Sequence, residues 1–165
     1  MTVPMTVAEG QHVDHPICGA TCTDKYKHSI VTEWKSIDSE AALQAATEGN
    51  YYLTQDIVTM ETWKPNNNVV LCLNGHSIAA NGDFVVIEID KGQFTLCDCN
   101  SSESMHYFTT SKEGLFTRWV PCEENTENRI SVTGGVITHS VGRSDLGVKV
   151  DNNATFTMYL SLIHI

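Results

Sequence analysis

Residues 86–97 read VIEIDKGQFTLC, and they can be laid over residues 147–159, GVKVDNNATFTMY, with one inserted residue. Residues 68–78, NVVLCLNGHSI, form a weaker third copy of the second half of this pattern. In that copy Leu71 matches Leu96, which lies 25 residues further along the chain. A repeat of this length suits one coil of a β-solenoid.

Short strand-like segments separated by turn residues fill the chain after Asn50. Apolar and polar residues alternate within them, which is typical of strands with one buried face. The repeat assigns three strands to each coil, with central residues Leu53, Leu71 and Ile78, then Ile87, Leu96 and Ile137, then Val148 and Met158.

The second coil is longer than the others because residues 100–130 form an excursion. Within and just after it, residues 114–122, GLFTRWVPC, and residues 128–132, NRISV, have the pattern of short strands. We expect these two segments to pair as a hairpin.

A single helix is predicted, between a strand and the first coil. Residues 30–37, IVTEWKSI, are rich in β-branched residues and favour a strand. The alanine-rich residues 38–49, DSEAALQAATEG, favour a helix with Asp38 or Ser39 as N-cap and Gly49 as its stop.

Composition limits the class of protein. The chain has 165 residues, of which 41% are hydrophobic, and this is enough for one domain with a core. Its formal net charge of −10 argues against a nucleic-acid backbone or an anionic membrane surface as partner. Because no stretch approaches the roughly 18 apolar residues that span a bilayer, no membrane insertion is expected.

The N-terminus and the cysteine content bear on the compartment. Residues 1–8, MTVPMTVA, are small and apolar and precede a polar stretch, which is typical of the end of a secretory signal. The competing interpretation is a disordered N-terminus with no targeting role. Six cysteines, an even number, favour an oxidising compartment, and we expect a secreted or cell-surface protein.

The segments VVLCLNGHSI, FTLCDC, GGVIT and GVKVDNNATFTMY resemble the right-handed parallel β-helix repeats of secreted and surface proteins of gut-dwelling bacteria. These repeats belong to the pectate-lyase-like superfold, and the resemblance covers about residues 50–159. It implies an all-β fold, namely a right-handed, single-stranded parallel β-helix (solenoid) with few coils and a short N-terminal capping helix.

On this interpretation the chain divides into four parts. A remnant of a signal peptide occupies residues 1–8, a Cys/His-rich segment with a strand and the capping helix occupies 9–49, and β-helix coils occupy 50–159. The final LSLIHI, residues 160–165, departs from the repeat and is interpreted as a non-native tail.

The resemblance implies one of two functions. The first is a non-catalytic secreted or cell-surface module, adhesin-like or glycan-contacting, with extracellular glycans or host surface proteins as partners. The alternative is the N-terminal part of a polysaccharide lyase or glycoside hydrolase whose catalytic coils lie elsewhere. We favour the first, because only two to three coils are present and none carries a convergent set of acid, base and metal ligands.

Residues 12–28, HVDHPICGATCTDKYKH, hold the densest group of metal-ligating side chains. His15, Cys18, Cys22 and His28 supply the four nitrogen and sulfur ligands that structural zinc requires. A secreted protein more often oxidises such a cysteine pair, so a local Cys18–Cys22 disulfide is favoured. No cofactor is expected on that interpretation, and structural zinc is the alternative.

The remaining cysteines are candidates for disulfides between coils. The repeat puts Cys72 and Cys97 at equivalent outward positions on strands about 4.8 Å apart, within the roughly 4.4–6.8 Å that a disulfide tolerates. We therefore expect Cys72–Cys97 and Cys99–Cys122 bridges. Cys99 is an alternative partner for Cys72, which would leave Cys97 to reach Cys122.

Aromatic residues of the excursion are candidates for ligand contact. Tyr107, Phe116 and Trp119 concentrate there, and sugar rings stack on such faces. The competing interpretation is that they pack the excursion against the flank of the coils.

Charged residues of the repeat have a simpler interpretation. The alignment stacks Glu88 beside Lys149, as a cross-strand pair, and Asp90 beside Asp151, in turns. A calcium site at these two aspartates would need several more oxygen ligands, so we expect none.

Overall fold

The structure is a computed structural model that describes residues 12–17, 30–101, 104–141, 146–159 and 162–163. Strands dominate these residues, and one six-residue helix is found among them. The prediction of an all-β chain is confirmed.

The described elements follow one another in short segments. In chain order they are β1 His15–Pro16, β2 Ile30–Val31, β3 Lys35–Ile37, α1 Glu40–Ala45, β4 Gly49–Leu53, β5 Ile57–Thr59, β6 Val69–Cys72, β7 Ser77–Asn81, β8 Ile87–Ile89, β9 Gly92–Cys97, β10 Met105–Glu113, β11 Phe116–Pro121, β12 Ile130–Thr133, β13 Val136–Val141, β14 Val148–Val150, β15 Ala154–Tyr159 and β16 Leu162–Ile163.

Three parallel sheets form the body, and the chain enters them in a fixed order. The first sheet has the spatial order β15-β9-β6-β4-β3, the second β16-β13-β7-β5 and the third β14-β8. A parallel bridge from Trp63 to Ile87 continues the third sheet. We call each passage through the sheets a round. The rounds are β4, β5 and Trp63, then β6 to β8, then β9, β13 and β14, and finally β15 and β16.

The register between rounds is the one that the sequence repeat predicted. Leu71 lies beside Leu96, and Cys72 lies beside Cys97. Strand β9 pairs with β15 along its whole length without a shift. The two best-matched copies of the repeat are therefore neighbours in space.

The core lies between the three sheets and consists of stacked side chains of similar size. Ile57, Ile78 and Ile137 occupy matching positions on three successive strands of the second sheet, and all three are buried. Trp63 is fully buried, with its ring centroid 5.6 Å from that of Phe94 in an edge-on contact. Burying each of these isoleucine side chains contributes about 1.5–3 kcal/mol to the stability of the fold.

Helix α1 begins as predicted and ends earlier. Ser39 is its N-cap, and its Oγ accepts a hydrogen bond from the backbone N–H of Ala42 at 3.3 Å. The C-cap is Ala46, whose carbonyl accepts a hydrogen bond from the buried indole N–H of Trp63 at 3.0 Å. The predicted stop at Gly49 is wrong, because this residue, with a φ of 113°, begins β4.

The strand predicted over residues 30–37 is divided into two. Glu33 has a φ of 60°, in the left-handed region, which interrupts the extended backbone. As a result β2 pairs with β1, whereas β3 joins the first parallel sheet.

The excursion is an antiparallel sheet of order β11-β10-β12, inserted between β9 and β13. Strand β10 is central, since β11 pairs with one of its edges and β12 with the other. The predicted hairpin between residues 114–122 and 128–132 is therefore wrong. Both segments pair with β10, which alternation had not marked as a strand.

A buried carboxylate fixes the base of this excursion. Asp98 is 1% exposed, and its Oδ1 accepts hydrogen bonds from the backbone N–H groups of Gly75 at 2.7 Å and Asn100 at 3.2 Å. Its Oδ2 accepts from the N–H of Gly135 at 2.5 Å. A Cβ at Gly135 would lie 2.3 Å from Cβ of Leu73, so glycine is required where the chain re-enters the second sheet.

The predicted chain ends are only partly described. Strand β16, within the predicted non-native tail, pairs in parallel with β13. Residues 160–161 and 164–165 lie outside the described residues, as does the predicted signal remnant at 1–8.

Replacing Asp98 by Asn should lower the free energy of unfolding by about 2–4 kcal/mol, because an NH2 group would face backbone N–H donors that are buried. Urea denaturation measures this change. The control is Asp83→Asn, an exposed position, which should change stability by less than about 0.5 kcal/mol. Equal stabilities of the two variants would contradict the role given to Asp98.

Candidate functional site

Four side chains with nitrogen or sulfur donors converge on the face of the first sheet opposite the main core. His12 and His15 come from the N-terminal segment, Cys72 ends β6, and Cys99 follows β9. One donor atom from each lies within 4.8 Å of the other three. We call this group the His/Cys cluster, and it joins segments up to 87 residues apart.

Aromatic rings hold both histidines in place. The ring of His12 stacks on Tyr52 with centroids 4.6 Å apart, and that of His15 stacks on Trp34 at 5.1 Å. Trp34 is itself fixed by a hydrogen bond from its indole N–H to the carbonyl of Val31 at 3.0 Å. As a result His15 is only 3% exposed although it lies close to the N-terminus.

Hydrogen bonds decide which histidine nitrogens face the cluster. The Nδ1–H of His15 donates to the carbonyl of Pro16, which leaves a lone pair on Nε2 of the neutral ring. This Nε2 lies 2.6 Å from Nε2 of His12, and Nδ1 of His12 lies 3.8 Å from Sγ of Cys99. Imidazole and thiol donors therefore point into one small volume.

The two cluster thiols are held in the protonated form. Contact with Cys97 raises the pKa of Cys72 far above its usual value, and contact with Cys72 together with burial raises the pKa of Cys99 to about 12. Burial lowers the pKa of His15, but hydrogen bonds with Cys99 and Pro16 outweigh it, so that pKa is raised. The thiols deprotonate readily only if a cation replaces their protons.

The cluster differs from the zinc set that the sequence predicted. His15 belongs to it, whereas Cys18, Cys22 and His28, with the predicted Cys18–Cys22 disulfide, lie outside the described residues. Sequence reasoning missed the set because it sought all ligands within one continuous segment. The available signal was the outward position of Cys72 on the first sheet.

The cysteines of the body are free thiols. Neither predicted bridge, Cys72–Cys97 nor Cys99–Cys122, is formed between these described cysteines. Cys72 and Cys97 are neighbours across β6 and β9, as the repeat required. Cys99 belongs to the His/Cys cluster, whereas Cys122 lines a cleft on the excursion.

That cleft, of about 230 Å³, lies between the second parallel sheet and the antiparallel sheet. Residues lining it include Asp56, Ser77, Phe108, Pro121, Cys122 and Thr138. Hydrogen bonding to His76 and to the N–H of Ser77 outweighs burial and lowers the pKa of Asp56 to about 2. The cleft therefore carries a negative charge throughout the physiological pH range.

The antiparallel register decides which face the predicted aromatic candidate Trp119 occupies. Side chains two residues apart on a strand share a face, and opposed residues of an antiparallel pair point to the same side. Trp119 therefore lies on the same face as Pro121. Phe108, which is opposed to Pro121 on β10, shares this face, and both Pro121 and Phe108 line the cleft. Trp119 is 38% exposed and is not itself among the residues that line the cleft.

Of the other two aromatic candidates, Tyr107 is among the residues that line the cleft, whereas Phe116 is not. Tyr107 immediately precedes Phe108 on β10, so its side chain points to the opposite face from Trp119. There the guanidinium of Arg129 lies 5.3 Å from its ring centroid. Phe116 begins β11 at the outer end of the hairpin. Trp119 and Tyr107 therefore do not form one stacking surface.

A second group of ionisable side chains is acidic. Carboxylate oxygens of Glu88, Asp90 and Asp151 lie within 4.8 Å of one another. Lys64 and Lys149 both form ion pairs with Glu88, and Nζ of Lys149 is 3.5 Å from Asp151. The predicted Glu88–Lys149 pair is confirmed, and Lys64 and Lys149 offset the charge of Glu88.

Comparison of the chain with protein-family models, curated proteins and solved structures found no match in any of the three. Among the described residues, no helix has the length and hydropathy needed to cross a membrane. The fold places the chain in the all-β class.

The low pKa of Asp56 predicts how the stability of the fold changes at acidic pH. A carboxylate whose pKa is lower in the folded than in the unfolded state stabilises the fold above the unfolded value, near 3.8. That contribution is lost as the pH falls through about 2. His76→Ala should move the midpoint of Asp56 upward toward 3.8, as followed by NMR of its carboxylate carbon. The control is His139→Ala, which removes a histidine that is hydrogen-bonded to the Phe84 carbonyl and should leave the Asp56 midpoint unchanged. An unchanged Asp56 midpoint in His76→Ala would contradict the cause assigned here.

Proposed function

We propose that this chain is a non-catalytic module of secreted or cell-surface type, built as a right-handed parallel β-helix, that contacts extracellular glycans. The architecture is supported by three parallel sheets to which successive rounds add strands in matching register. The sequence resemblance of residues 50–159 supports both the right-handed form and the extracellular location.

The observation that carries the proposed function is an ionised carboxylate in the cleft together with a partly exposed indole on β11, two residues from the lining residue Pro121. Asp56 accepts hydrogen bonds from sugar hydroxyls in its ionised form. Trp119, on the same face of the sheet as Pro121, offers a flat apolar surface on which a sugar ring stacks. The volume of about 230 Å³ is small beside pockets for drug-sized ligands and suits a single sugar unit of a longer chain.

The same cleft supports binding over catalysis. Glycoside hydrolysis uses two carboxyl groups, one of which has a raised pKa so that it can donate a proton. Among the described lining residues, Asp56 is the single carboxylate, and its pKa is lowered to about 2. Asp56 therefore acts as an acceptor. The alternative, an N-terminal part of a lyase or hydrolase, gains no support from this cleft.

Trp119→Ala should weaken glycan binding about tenfold, because stacking on an aromatic ring contributes about 0.5–1.5 kcal/mol beyond the area that it buries. A panel of pectic and host-type glycans, screened by array and followed by calorimetry, measures this. Met158→Ala, which truncates an exposed apolar side chain of β15 that does not line the cleft, is the control and should change the affinity less than twofold. Loss of binding in Met158→Ala with full binding in Trp119→Ala would exclude the assigned surface.

The same panel tests the enzymatic alternative. Release of unsaturated or reducing sugars by the wild-type chain, lost in Asp56→Asn, would replace the binding function with catalysis. Absence of product, together with a binding defect in Asp56→Asn, is the result that we expect.

A further inference from the structure

We propose that His12, His15, Cys72 and Cys99 bind one zinc ion, which ties the N-terminal segment to the second and third rounds. This site is independent of the glycan function. Two imidazoles and two thiolates form a Cys2His2 set, one of the standard sets of structural zinc. Softer N and S donors of this kind select zinc over calcium or magnesium.

The geometry requires only small adjustments of the side chains. Zinc bonds of about 2.0–2.3 Å put tetrahedral ligand atoms roughly 3.3–3.8 Å apart. One donor atom from each residue lies within 4.8 Å of the others. His12 supplies a single nitrogen: either Nδ1, which lies 3.8 Å from Sγ of Cys99, or Nε2, which lies 2.6 Å from Nε2 of His15 and would have to move slightly away from it.

Two hydrogen bonds at the cluster suit a zinc site. The Nδ1–H of His15 donates to the Pro16 carbonyl and so directs Nε2 toward the ion. The backbone N–H of Cys99 donates to Sγ of Cys72 at 3.4 Å, and such a bond stabilises a thiolate. These contacts orient one imidazole and one thiolate before the metal arrives.

Charge balance favours the bound form at this depth. On binding, Zn²⁺ displaces one proton from each thiol to solvent, and two thiolates neutralise the ion while the imidazoles stay neutral. Cys72 is fully buried and His15 is 3% exposed, so a neutral site avoids the cost of a buried net charge. With four protein ligands the coordination is closed, which is typical of a structural site.

The full reduced chain, purified without chelator, should hold one equivalent of zinc by elemental analysis. Replacement by cobalt(II) should give the visible bands of a tetrahedral ion together with thiolate-to-cobalt charge transfer. Removing zinc with a chelator should lower Tm by about 10 °C, because a ligand bound only to the folded state stabilises it.

Cys99→Ser and His12→Asn are the decisive variants. Cys99 is half-buried, so its serine variant should fold, and each variant should bind zinc at least about 100-fold more weakly. Cys122→Ser is the matched control, since Cys122 is half-buried like Cys99 but lines the cleft and lies outside the set. It should keep one zinc with unchanged affinity.

Three results would overturn the assignment. The first is full zinc affinity in Cys99→Ser and His12→Asn with loss in Cys18→Ser or His28→Asn, which would place the ion on the local segment. The second is a reduced wild-type chain that takes up no zinc when an equivalent is added. The third is a disulfide of Cys72 in protein purified without oxidant, found by non-reducing peptide mapping.

Discussion

In-register stacking of one round on the next is the constraint on which the rest of the molecule depends. Each body strand satisfies its backbone groups by pairing with strands of the neighbouring rounds, so the position of one round fixes that of the next. A slip of one residue at Leu71 would turn its side chain outward and bring Cys72 into the core. Asp98 fastens two rounds together at one polar corner, where it accepts hydrogen bonds from the N–H groups of Gly75 and Gly135.

The same alternation creates a second, smaller apolar surface on the outside. Because Leu71 points inward, Cys72 points outward, and with Cys97 and Tyr52 it forms a buried cluster separate from the core. Apolar groups on an outer face require cover, and the side chains of Trp34, His12 and His15 provide it. The His/Cys cluster is thus a consequence of strand register combined with the need to cover that face.

Features of the fold that the sequence repeat encodes could be predicted, whereas contacts between residues outside the repeat could not. The pairing of Leu71 with Leu96 was predictable because the sequence repeat aligns these two residues. Strand β10 was not predictable in this way, because it belongs to no repeat. It pairs with both β11 and β12, whereas two segments that follow each other in sequence were expected to pair with each other. His12 and Cys99 were not joined because 87 residues separate them, and only the folded rounds bring them together.

The corner at Asn74 and Gly75 connects the two candidate sites. The amide Oδ1 of Asn74 accepts a hydrogen bond from the thiol of Cys99, while its Nδ2 donates to the Leu53 carbonyl. The carbonyl of Gly75 accepts from His106, on the strand that borders the cleft. Asn74 has a φ of 51° and Gly75 a φ of 78°, so the corner depends on two consecutive left-handed residues. Residue types other than Gly and Asn are strained in that conformation, which explains why these two occupy the corner. Through its hydrogen bonds the corner holds Cys99 on one side and the antiparallel sheet on the other.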